Sequence, residues 1–70
     1  MADRKANAME VAEYLREQAT ENYPQTVGSI REYGTMLIVE IKSKPVRFEI
    51  ATLDPAAAWA GLQALIEENA

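Results

Sequence analysis

Residues 35–51 read TMLIVEIKSKPVRFEIA, and the alternation within them decides the fold. Leu37, Val39 and Ile41 alternate with Ile38, Glu40 and Lys42; after a turn, Val46, Phe48 and Ile50 alternate with Arg47, Glu49 and Ala51. Successive side chains of a strand point to opposite faces, so the six apolar residues of the first set share one face of a sheet. The spacing predicts a strand over residues 35–42, a turn at Ser43-Lys44-Pro45 and a second strand over residues 46–51. Pro45 suits the first residue of that second strand, where its missing N–H does no harm.

Working outward, Tyr33-Gly34 is a tight-turn signal, and residues 25–32 before it read as an edge strand kinked at Gly28. Its pattern is mixed, with Val27, Ser29, Arg31 and Tyr33 on one side and Gly28, Ile30 and Glu32 on the other. Towards the N-terminus, Ala8, Val11, Ala12, Leu15 and Ala19 recur at helical spacing. They predict a helix over about residues 4–20, capped by Asp3. Pro24 ends it by disfavouring helical geometry at Tyr23, with Asn22 as a left-handed stop. On the other side, Leu53-Asp54-Pro55 combines an apolar residue, a capping carboxylate and a proline suited to the first helical position. Ala58, Leu62, Leu65 and Ile66 then form a core stripe, with Trp59 on its shoulder and fraying near Asn69. The expected fold is α+β, in the order helix-strand-strand-strand-helix. A three-stranded antiparallel sheet carries both helices on one face, and residues 1–70 form a single domain.

A chain of 70 residues supports one core and buries only roughly 60% of its unfolded surface. With 49% hydrophobic and 26% charged residues it belongs with folding globular chains rather than disordered ones. It has no Cys, so neither disulfides nor a thiolate metal site supplement the core. It has no apolar run of membrane-spanning length and no signal-peptide pattern, which makes a cytoplasmic setting the expectation.

The order of elements resembles that of the double-stranded RNA-binding domain, along almost the whole chain. That family grips phosphates with lysines at the start of its second helix. The corresponding stretch here, Asp54-Pro55-Ala56-Ala57-Ala58, holds no base, so the resemblance implies a shape and not RNA binding.

Catalysis lacks its usual groups, since the chain has neither His nor Cys. Glu13 and Glu17 stand one turn apart, but no compact multi-oxygen loop accompanies them to hold calcium. Gly28, Gly34 and Gly61 are isolated and form no phosphate cradle. No catalytic residue, metal site or cofactor is expected. The formal net charge of −4 argues against direct nucleic-acid binding and towards a protein partner.

The acids sit where helix electrostatics disfavours them. Glu17 and Glu21 lie near the end of the first helix, and Glu67 and Glu68 crowd the end of the second, against the macrodipole. Glu13, Glu17 and Glu21 form a like-charge ladder at four-residue spacing, offset in part by Arg16. The combined penalty is about 1 to 3 kcal/mol. Such a row suits a basic protein surface of the kind that binds nucleic acid. In size and charge the chain is similar to small acidic inhibitors such as phage anti-CRISPR proteins, immunity proteins and antitoxins. The expected partner-binding residues are Glu10, Glu13, Glu17 and Glu21, with Tyr33, Met36 and Ile38 as apolar anchors on the uncovered sheet face beside Ile30. Lys42, Lys44 and Arg47 form a secondary basic patch around the hairpin turn, able to meet an acidic partner or the acidic helix of a second copy. The alternative role is a homo-oligomeric structural or assembly subunit, with a homodimer as its simplest form.

Overall fold

The computed structural model describes residues 7–70 and shows the expected order: α1 (Ala8–Asn22), β1 (Val27–Tyr33), β2 (Met36–Ile41), β3 (Lys44–Glu49) and α2 (Pro55–Asn69). The strands form one antiparallel sheet in the order β1-β2-β3. In the register Leu37 lies opposite Phe48 and Val39 opposite Val46, so the apolar set does occupy one face. Both helices cover it. Val11, Leu15, Leu37, Val39, Leu62 and Ile66 have no exposed surface, and Ala12, Ala19, Val27, Ile41, Ile50 and Ala58 complete the core. No polar side chain is buried among the described residues, so apolar packing alone organises this interior.

The helix starts are set by local chemistry. Asn7 is extended and accepts the Glu10 N–H at 2.9 Å, while the Glu10 carboxylate accepts the Asn7 N–H at 3.1 Å, a reciprocal capping box. The helix among the described residues therefore begins at Ala8; the expected cap at Asp3 and start near Arg4 lie outside them. Its end is Asn22, two residues beyond the expected one, because Tyr23 is the first residue that Pro24 forces out of helical geometry (φ −134°, ψ 56°). Asn22 is not left-handed; it stays helical, and its amide donates to the Gln18 carbonyl at 2.8 Å. At α2 the Asp54 carboxylate accepts the Ala56 N–H at 3.1 Å and Pro55 opens the helix, as expected. Leu53 remains 43% exposed, since the residue one turn into the helix is the short Ala58 and offers little to pack against.

Three details of the sheet differ from the sequence reading. A bulge sets Val27 opposite Ile41 and Ile30 opposite Val39, three residues of β1 spanning two of β2. Both Val27 and Ile30 therefore face the helices, which resolves the mixed pattern and corrects the placement of Ile30 on the open face. The β2–β3 turn is Lys42-Ser43, and Lys44 and Pro45 already belong to β3. Lys42 and Ser43 both have positive φ, 51° and 68°, the signature of a type I′ hairpin turn. The β1–β2 turn is Gly34-Thr35, one residue later than the expected Tyr33-Gly34, because Tyr33 still pairs with Met36; of the two only Gly34 has positive φ (67°), which suits type II′.

Candidate protein-binding surfaces

At about 100° per residue, Glu10, Glu13, Glu17 and Glu21 fall within an arc of roughly 80° on α1, opposite the stripe of Val11, Ala12, Leu15 and Ala19 that faces the core. Glu13, Glu17 and Glu21 are exposed and have no ion-pair or hydrogen-bond partner among the described residues. Neither helix has a basic residue in its last turn. Glu10 differs from the other three, because its carboxylate closes the capping box and favours the helix N-terminus. Glu67 has a structural role as well: it accepts the Tyr23 hydroxyl at 2.9 Å and ties the end of α1 to α2. Tyr23 also packs its ring against Trp59, 6.1 Å between centroids. Its phenol titrates above the ordinary value of 10.0. The largest single influence, a hydrogen bond with Gln63, lowers it, but desolvation, the hydrogen bond to Glu67 and the Glu67 charge together outweigh that.

Arg16 does not offset the glutamate ladder. Its guanidinium turns to β1, donating to the Glu32 carboxylate at 3.0 Å and the Ile30 carbonyl at 3.3 Å.

The open face of the sheet is read from the register. Tyr33, Met36 and Glu49 form one row and Arg31, Ile38 and Arg47 the next, with Glu40 and Pro45 beyond. Tyr33 is 55% exposed, while Met36 and Ile38 are half-buried by their neighbours. Arg31 and Arg47 form no ion pair among the described residues. Tyr, Met and Arg are typical interface anchors, and Arg31 is a member of this surface that sequence reading missed. Its signal was available in the two-residue spacing from Tyr33. Glu40 folds back over Gly28, where a Cβ would overlap its carboxylate.

The structure thus brings Tyr33, Met36 and Ile38 together but separates them from the glutamates. The helix layer stands between the two groups, and with layers packing about 10 Å apart and a helix radius near 5 Å, a single flat partner surface does not touch both. The basic patch is divided too. Lys42 lies in the turn, Arg47 on the open face, and Lys44, opposite the buried Ile41, on the helix side of the sheet.

No cluster of three or more metal-ligating side chains occurs among the described residues, and no helix there is long and apolar enough to cross a membrane. Comparison with protein-family models, curated proteins and solved structures finds no match to this chain.

Proposed function

We propose that the chain is a small acidic binding protein without catalytic activity, which uses α1 to occupy a basic surface of a nucleic-acid-handling protein, as an inhibitor does. The observation that supports this reading is the row Glu13, Glu17 and Glu21: exposed, about 6 Å apart along the helix, turned away from the core and without partners among the described residues. A row of fixed carboxylates competes with a phosphate backbone for the same lysines and arginines, and its long-range attraction speeds encounter with them. The open sheet face, with its arginines, lies on the other side and leaves the acidic row unobstructed.

The reading is tested by capturing proteins from the native host on the tagged chain and challenging the retained partner with duplex DNA and with rising salt. Competition predicts release by both, since the partner's basic surface then binds DNA or loses its electrostatic attraction. Retention that is indifferent to DNA contradicts it.

A further inference from the structure

The two edges of the sheet are treated differently. In β3 the Ile50 N–H bonds the Thr35 carbonyl at 2.7 Å, which fixes the parity of the strand: Lys44, Val46, Phe48 and Ile50 turn their backbone groups to β2, while Pro45, Arg47 and Glu49 turn theirs outward. By the same parity Ile30 faces outward from β1, and there its carbonyl accepts from Arg16, so α1 covers that edge. On β3, Pro45 has no N–H to offer and protects the half near the turn. The backbone groups of Arg47 and Glu49 bond nothing among the described residues. Beside them lies an open groove of about 620 Å³ lined by Phe48, Gly61, Ala64 and Leu65, with Glu67 and Glu68 at the α2 end. Phe48 is only partly buried, and a Cβ on Gly61 would come within 3.5 Å of its ring.

We infer that this edge pairs with the same edge of a second copy, joining two sheets into one six-stranded antiparallel sheet about a twofold axis at Phe48. The register follows from charge. Placing Arg47 opposite Arg47, or Glu49 opposite Glu49, sets like charges face to face across the strands, which is unfavourable. Placing Arg47 of one copy opposite Glu49 of the other exchanges their free N–H and C=O groups and sets the Arg47 guanidinium beside a Glu49 carboxylate that also accepts the Thr35 hydroxyl at 2.8 Å, twice by symmetry. The same register sets the two Phe48 rings side by side on the helix face, at a position where Cα atoms approach to about 4.5 Å, beside the Gly61 and Ala64 end of the groove. Ala57, Ala60, Gly61 and Ala64 are exposed on one face of α2, which lets the second helix approach closely. This inference stands apart from the acidic-helix reading, which holds for one copy as for two; a dimer presents two acidic rows.

Equilibrium sedimentation of the full chain tests it, with circular dichroism to verify folding. The wild type is expected at twice its 7.8 kDa chain mass at high concentration. Arg47→Glu or Glu49→Arg alone weakens association by about tenfold or more, and the double exchange restores it, because opposite charges again face each other. Arg47→Pro removes an outward N–H without touching the β2 ladder and gives a folded monomer, as Pro45 foreshadows. In the wild-type dimer the Arg47 and Glu49 amide hydrogens exchange slowly. A wild type that remains monomeric to millimolar concentration overturns the inference, as does a folded Arg47→Pro chain that still dimerises or a double exchange that fails to recover. If Arg47→Pro does not fold, the charge exchange decides alone.

Discussion

Lys42 and Ser43 hold backbone angles that L-residues with a Cβ avoid, at a cost of about 1 kcal/mol or more each. The hairpin accepts this because a two-residue turn of that type matches the twist of β2 and β3. Ser43→Gly relieves the second position at the expense of a freer unfolded chain, so the expected net gain is about 0.5 to 1 kcal/mol. The midpoint of thermal unfolding should rise by a few degrees, and a fall would mean that the serine makes a compensating contact. The same position shows why the turn was misread from sequence. Ser43-Lys44-Pro45 contains the proline that usually marks a turn, whereas Lys42-Ser43 lacks the glycine or asparagine that announces a type I′ turn. Ile30 was misread for a related reason: strict alternation assigns it to the open face, and only a bulge at Gly28 and Ser29 returns it to the core.

Among the elements, the pieces with a clean period were legible. The alternation of Leu37, Val39 and Ile41 and the stripes of Val11, Leu15, Leu62 and Ile66 are direct consequences of burying one face, and burial is what the structure confirms at each of them. The contact between helix ends was not legible, because nothing local in the sequence links Tyr23 to Glu67, 44 residues away. That contact carries a pH dependence. The Tyr23 phenol titrates higher in the fold than its ordinary value of 10.0, so its contribution to stability is fully present below pH 10 and is lost as pH rises through the folded value. Urea midpoints measured from neutral to alkaline pH should therefore fall further above pH 10 in the wild type than in Tyr23→Phe. Equal slopes would show that the phenol proton is not linked to folding.

On the scale of the whole molecule, the acidic row and the two arginines unpaired among the described residues lie on opposite sides. Carboxylates line the outer side of α1, and Arg31 and Arg47 flank Ile38 on the opposite, open side of the sheet. The sequence reading groups the glutamates with Tyr33, Met36 and Ile38 in one interface because spacing along a helix and alternation along a strand say nothing about which side of the molecule each face reaches. That knowledge comes from the packing of α1 against β1, visible in the Arg16 bonds to Ile30 and Glu32. Of the acids on the two helices, Glu10 closes the capping box and Glu67 holds Tyr23, which leaves Glu13, Glu17 and Glu21 on α1 and Glu68 at the end of α2 without such a role among the described residues. The three on α1 repel one another along the helix, and the last two of them also oppose its dipole. The most direct measurement is therefore a comparison of the wild type with the triple variant Glu13→Gln, Glu17→Gln, Glu21→Gln, read as thermal midpoint and retention of the partner. The expected result is a chain that unfolds a few degrees higher and no longer retains the proposed basic partner; a variant that retains it as firmly as the wild type contradicts the proposed role of the acidic row.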